Sequence, residues 1–240
     1  TQLYGLRELP EQLIVVGSGV TGAEFASAYN ALGVDVVLVS SRDQVLPGED
    51  AEAGRVVQQV FERSGMTILS RSRAQAASVV GEEVVVELAD GRTVTGSHCL
   101  MAVGSTPNTV GIGLERAGVD LDERGYVVVD KVSRTTARGV YAAGDCTGVF
   151  ALASVAAMQG RIAMWHSLGD AVAPLDLRTV SANVFTSPEI ATVGVSQSEV
   201  DSGTVRARAV ILPLGSNARS SILCSTFTRA RTATKRHSRR

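Results

Sequence analysis

Apolar and polar positions alternate most legibly near the start of the chain, in "EQLIVVGSGVTGAEFASAYNALGVDVVLVS". Leu13–Val16 is an unbroken apolar run followed by glycine, the pattern of a short strand buried on both faces. Apolar residues at helical spacing then run from Ala23 to Leu32, and Gly33 suits the position just past a helix end. Val34–Val39 repeats the strand pattern, so the stretch predicts a βαβ unit. Asp50 is placed to cap the next helix, "DAEAGRVVQQVFERSG", which puts Val56, Val57, Val60 and Phe61 on one face and ends at Gly65.

Past Gly65 the texture changes. "QAASVVGEEVVVELADGRTVTGSHCLMAVG" reads as consecutive strands, with Asp90-Gly91 as a hairpin turn between "VVVEL" and "RTVTG". Leu100–Val103 is expected to return to the parallel sheet. Residues 104–124 read as loop with a short helix, "GYVVVD" and "GVYAAGD" as two further strands, and "LASVAAMQGRIAMWHSL" as a helix. After Pro174, "RTVSANVFTSPEIATVGV" opens a new strand-like unit near residue 177.

Composition narrows the setting. At 240 residues and 45% hydrophobic residues, the chain has room for one large or two smaller domains with real cores. No apolar stretch approaches the roughly 20 residues of a membrane span, and no secretory leader pattern is present. Cys99, Cys146 and Cys224 lie far apart without CxxC spacing. That argues against a disulfide framework or a zinc site and for a reducing, cytoplasmic setting. The net charge of −1 hides an asymmetry: from Arg219 onward there are seven Lys/Arg and no Asp/Glu. A basic tail can bind nucleic acid or an anionic surface, but no aromatic interleaving accompanies this one. A disordered end is the plainer expectation, and no nucleic-acid partner is expected.

Two stretches carry candidate chemistry. Gly17-Ser18-Gly19-Val20-Thr21-Gly22 sits directly after a strand and opens a helix. In that context Gly17 makes the tight turn, Gly19 lets backbone approach a pyrophosphate, and Gly22 allows close helix–strand packing. The N–H groups near Val20 and Thr21 would face the phosphates. The second strand then ends "LVSSRD". No acid stands there to hold the adenosine ribose of NAD; Ser40, Ser41 and Arg42 suit a 2′-phosphate or tolerate either nicotinamide dinucleotide. Arg42 could equally be a solvated loop charge. The other stretch is "GVYAAGDCTG", where Gly144 and two alanines flank Asp145. Such a carboxylate either accepts a ligand hydroxyl or caps a helix.

Together "GSGVTGAE", "AVGSTPNT", "TTARGVYAAGDCTG", "AAMQGR" and "FTSPEIATVG", in this order over roughly residues 10–218, resemble the pyridine nucleotide–disulfide oxidoreductase family of flavoproteins. The resemblance implies an α/β fold. Its parts would be a Rossmann-type NAD(P) domain with a three-stranded β-meander, the C-terminal half of an FAD domain, and the start of an α+β interface domain. In residues these are a linker at 1–10, the NAD(P) domain at 11–126, the FAD half at 127–176 and the dimerisation segment at 177–218. The first half of the FAD domain would precede Thr1.

The resemblance further implies NAD or NADP and FAD as cofactors, hydride transfer from nicotinamide to flavin, a small-molecule electron acceptor and a homodimer. Carried over, Glu24 would sit near the nicotinamide end of the pocket, or else be an exposed first-turn acid favoured by the helix dipole. Val103 and Gly104 join the cofactor-binding set. Gly144 and Asp145 would hold the ribityl chain, with Leu152 and Ala153 along the flavin. Val20 stands where disulfide reductases often carry an aromatic gate, and Ser105 replaces a phosphate-binding Arg. No cysteine matches a catalytic position, and Cys146 is expected to be buried and structural. Within the family, Val20 and "LASVAAMQGRIAMWHSLGD" are most similar to actinobacterial NAD(P)H quinone reductases, with dihydrolipoyl dehydrogenase as the alternative. A chain that binds NAD(P) without catalysis is a further one. The resemblance stops at Arg219, where a shifted reading frame or a degenerate gene is the expected cause.

Overall fold

In the computed structural model, which describes residues 3–210, the first apolar run forms β1 (Gln12–Val16) and is followed by α1 (Val20–Ala31) and β2 (Asp35–Val39). Gly33 stands just past α1 with φ +90°, and its N–H donates to Asn30 O while Val34 N–H reaches back to Tyr29 O. This left-handed glycine ends the helix as its sequence position implies. Next come α2 (Ala51–Arg63) and β3 (Thr67–Leu69). The helix buries Val57 and Phe61 and leaves Val56 and Val60 half-buried.

The strands β4 (Ala74–Val80), β5 (Glu83–Leu88) and β6 (Thr93–Gly96) form an antiparallel meander. The chain then re-enters the parallel sheet as β7 (His98–Met101), giving the order β3-β2-β1-β7. This strand begins and ends two residues earlier than the Leu100–Val103 expected. Pairing of Ile14, Val15 and Val16 with Cys99, Leu100 and Met101 fixes the register, and the ladder ends with β1.

Apolar residues fill every buried position of β1 and β2 because both faces of the sheet are covered. Leu13, Val15, Val36 and Leu38 pack with Ala23, Ala26, Val57 and Phe61 of the helices. Ile14, Val16, Val37 and Val39 pack with Val86 and Leu88 of the meander. Two later residues complete the helix-side core, Val184 from β8 (Ser181–Val184) and Ile190 from β9 (Ile190–Val193). A short α4 (Gln197–Asp201) follows, started by a capping box between Ser196 and Glu199.

The described residues up to Gly104 and from Asn183 onward form one compact unit, and Ser105–Ala182 form a second. The second unit contains α3 (Ala153–Ser167), which buries Val155, Gln159, Ile162 and Ala163. The same unit holds a small core of Val119, Val127 and Ala137. The two strands expected at "GYVVVD" and "GVYAAGD" are reduced here to isolated bridges, Leu121 to Val127, Val129 to Thr135 and Arg134 to Tyr141. The reason lies in their backbone donors, which go to scattered turn partners. Val127 N–H donates to Cys146 O, Val128 to Asp120 O, Asp130 to Arg134 O and Ala142 to Ser133 O. No ladder can grow from such a set. The basic segment 219–240 and Cys224 lie outside the described residues.

Candidate functional site

The glycine fingerprint is built as a turn that only small residues can make. Gly17 leaves β1 at φ +109°, and its N–H donates to Val39 O at 2.9 Å, tying the turn to the end of β2. A Cβ on Gly17 would run into the Ala102 carbonyl, and one on Gly22 into the Gly17 carbonyl. These two glycines therefore serve the protein's own packing. Gly19 differs, since a Cβ there would meet no protein atom within 4 Å. The space in front of it is open.

Gly19 is also the N-cap of α1, with no side-chain cap, and the first intrahelical bond runs from Ala23 N–H to Gly19 O. The N–H groups of Val20, Thr21 and Gly22 thus have no acceptor within the helix, and the positive helix end faces the same open space. Val20 and Thr21 are exposed. A pyrophosphate fits this place by charge, by donors and by room. The turn lies at the C-terminal end of β1, which has β2 on one side and β7 on the other, the crevice where such sheets take ligands.

The serines flanking the crevice divide into buried and exposed. Ser18 and Ser40 are both buried, with their hydroxyl oxygens 2.7 Å apart. Ser18 O accepts from Leu46 N–H, and the Ser40 hydroxyl exchanges bonds with the Arg42 backbone at 3.1 and 3.2 Å. Ser40 therefore shapes the loop from within. Ser41 and Arg42 are the members of "SSR" that reach solvent. Facing them is the corner between β3 and β4, where Ser72 N–H donates to Ser40 O and Arg71 N–H to Arg42 O.

Glu24 lies in the second turn of α1, because the helix begins at Val20 rather than at Ala23. It is half-buried, and its Oε1 accepts the Phe185 N–H at 2.9 Å. The reading of Glu24 as an exposed first-turn acid is thereby corrected. Ser27 Oγ accepts from Ser187 N–H one turn further on, at 3.0 Å. Asp50 stands at the N-cap of α2 as expected but makes no side-chain cap; its Oδ1 accepts from Gln197 N–H at 3.2 Å instead. Val103 and Gly104 follow β7 and are exposed, Gly104 at φ +117°. Ala102, which opens the "AVGSTPNT" motif but is not among the expected site residues, is the residue whose carbonyl closes on Gly17. Only the alternation of small residues around "MAVG" could have pointed to it.

In the second unit the residues of the Asp145 motif form one turn. Gly144 has φ +88°, and its N–H donates to the buried Gln159 Oε1 at 2.8 Å. Thr147 Oγ1 donates to Gly144 O at 2.7 Å and accepts from Gln159 Nε2 at 3.2 Å. Asp145 is exposed and opens this short 3-10 turn just after its N-cap Gly144, while the N-cap of α3 is Leu152. Of its two readings, helix cap or ligand acceptor, the cap is therefore not realised. Leu152 is the N-cap of α3, half-buried, and Ala153 begins the helix exposed. Gln159 was missed as a site residue, although a polar residue on the inner face of an apolar helix is a signal. Cys146 is half-buried rather than buried, because the 3-10 turn carries it toward the surface; its Sγ lies 3.5 Å from Ala143 O. Burial pushes the Cys99 thiol up.

Among the described residues no group of three His, Cys, Asp or Glu could hold a metal ion, and no helix is long and apolar enough to cross a membrane. The family model described as pyridine nucleotide-disulphide oxidoreductase matches residues 1–160. An NAD(P)H dehydrogenase (quinone) of Mycobacterium tuberculosis is 58% identical over 219 residues, covering 91% of this chain and 44% of that protein. A dihydrolipoyl dehydrogenase of Chlamydia pneumoniae is 34% identical over 213 residues, covering 89% and 46%. The crystal structure of LpdA from Mycobacterium tuberculosis superposes with a TM-score of 0.88 at 58% identity, covering 92% of this chain and 48% of that one. The HOCl-induced flavoprotein disulfide reductase RclA of Escherichia coli gives 0.86 at 28% identity, covering 96% and 53%. The chain thus spans about half the length of these relatives.

Proposed function

The chain belongs to the pyridine nucleotide–disulphide oxidoreductase family, and on that premise we propose that it supplies the nicotinamide site and one flavin-binding turn of an FAD-dependent NAD(P)H oxidoreductase. The acceptor is a quinone or a disulfide. Bound FAD would take hydride from the nicotinamide and hand the electrons on to that acceptor.

The observation that carries it is Gly19. Two of the three fingerprint glycines are filled by the protein's own backbone, while the third opens onto uncapped N–H groups. That is a cradle made for something outside the chain, and an anionic diphosphate matches it. Ser41 and Arg42 stand toward the adenosine end, and Val103 and Gly104 extend the same strand-end crevice. In the second unit, the Gly144–Asp145 turn is fixed by Gln159 with its carboxylate left exposed, which suits acceptance of polyol hydroxyls of FAD. The functional division follows the motifs: a linker at 1–10, nicotinamide binding at 11–126, the flavin half at 127–176 and a dimerisation segment at 177–218. We take the working form as a cytoplasmic homodimer.

Quinone is preferred over dihydrolipoyl substrates because the 58% identical relative is named for quinone, whereas the dihydrolipoyl dehydrogenases stand lower, at 34% for the Chlamydia pneumoniae protein. The test begins with the chain purified in excess FAD, stripped of free cofactor and examined by visible absorption. Retained flavin bands that bleach on adding NADPH support the oxidoreductase reading. A colourless protein that still changes NADPH fluorescence reduces this chain to nicotinamide binding. A protein that does neither overturns the proposal.

A further inference from the structure

The corner between β3 and β4 suggests how the site chooses between the two nicotinamide dinucleotides, a deepening that rests on the nicotinamide reading above. Four arginines and two aspartates surround it. Arg92 is held by Asp90 at 2.6 Å and donates to Ser72 Oγ at 2.7 Å, so its charge is committed to the hairpin. Arg71 has a left-handed backbone, φ +53°, with its N–H on Arg42 O at 3.0 Å. Its Nε meets Asp43 Oδ1 at 2.6 Å, both side chains 78% exposed. Arg42, next to Asp43, is exposed and joined in no ion pair among the described residues, and Arg73 follows Ser72 at the surface. The corner is anchored on two backbone bonds to Ser40 and Arg42, so these charges are presented on a fixed frame.

NADPH differs from NADH by one phosphate on the adenosine ribose, and that ribose binds beside the end of β2 in folds of this topology. We propose that the Asp43–Arg71 pair tunes the preference between NADPH and NADH, Asp43 restraining it and Arg71 adding to it when released. Arg42 is the available cation for the 2′-phosphate. Asp43 opposes it in two ways: its own charge repels a phosphate, and it occupies Arg71, which would otherwise add a second guanidinium. The solvent-exposed Asp43–Arg71 pair is weak and labile, so a phosphate can compete for Arg71. The outcome is a site that accepts both dinucleotides with a moderate lean to NADPH, tuned by one carboxylate.

The test measures NADPH and NADH binding to the full chain by their own fluorescence, in wild type, Asp43→Asn, Arg42→Ala, and Asp43→Asn combined with Arg71→Ala. All substitutions are at exposed positions, and circular dichroism checks the fold of each. Asp43→Asn should raise the NADPH-to-NADH affinity ratio about fivefold, the size of one contact charge interaction in water. Arg42→Ala should lower it about tenfold. Adding Arg71→Ala should return part of the Asp43→Asn gain, and higher salt should compress all the differences. If wild type binds both dinucleotides and Asp43→Asn leaves their ratio unchanged, the tuning role falls while the nicotinamide site stands. If wild type binds neither, both fall together.

Discussion

Gly19 and Gly22 lie three residues apart in one motif yet do different jobs, and substitution separates them. An alanine at Gly22 drives its Cβ into the Gly17 carbonyl, so Gly22→Ala should cost about 2 kcal/mol or more of stability. An alanine at Gly19 meets no protein atom and should cost less than about 1 kcal/mol, as a poorer N-cap. Nucleotide binding should nevertheless fall at least about tenfold in Gly19→Ala, because the methyl fills the space a pyrophosphate needs. Thermal melting and NADPH titration on the two variants read this directly; equal melting losses would contradict it. Asp90 gives a pH-dependent counterpart. The side chain and backbone of Arg92 donate to its carboxylate and hold its pKa below the usual carboxylate value. A depressed acid contributes above its ordinary pKa and loses that contribution as pH falls through the lowered one. The Arg92 amide NMR shift should therefore stay flat down to about pH 4 and titrate below it, and Asp90→Asn should abolish the transition.

At the scale of elements, three side chains of the helical layer grip the backbone of the segment after β8. Glu24 holds Phe185, Ser27 holds Ser187, and Asp50 holds Gln197, while Val184 and Ile190 enter the core beneath. Ser27→Ala leaves the Ser187 N–H without that acceptor, and a lost hydrogen bond of this kind costs about 1 kcal/mol. Amide exchange at residues 184–190 should accelerate about fivefold while β1 and β2 stay protected. Uniform acceleration would instead mark a global loss of stability. Periodicity made β1, α1, β2 and the meander legible, because each is defined by its own local pattern and by a glycine or Asp-Gly stop. It could not show where Glu24, Ser27 and Asp50 would point, since their partners lie 147 to 161 residues away. The same limit explains "GYVVVD" and "GVYAAGD". Both have strand composition, but whether a strand forms is decided by a neighbouring ladder, and here their N–H groups serve turns. The candidate site shows the same split: the fingerprint was readable from spacing, the burial of Ser40 and the role of Gln159 were not.

For the molecule as a whole, the two units are unequally supported. The first has a four-stranded sheet covered on both faces, while the second rests on α3 and the small cluster around Val119, Val127 and Ala137. Less buried apolar surface means lower local stability. Limited proteolysis should therefore cut first within 105–182, and mass spectrometry of the fragments locates the site. A first cut between β1 and β7 would reverse that ranking.

The first unit is also discontinuous, since its core takes Val184 and Ile190 from beyond the second. On a ribosome this becomes a matter of timing. After Gly104 is made, about 80 more residues must be translated before those side chains exist, several seconds at ordinary elongation rates. During that wait α1 has Glu24 and Ser27 without their backbone donors and an apolar face without its cover. The nascent sheet would be a natural client for a chaperone that binds exposed apolar surface, and slowing or speeding translation across 105–182 would change the soluble yield more than the same change made earlier in the message.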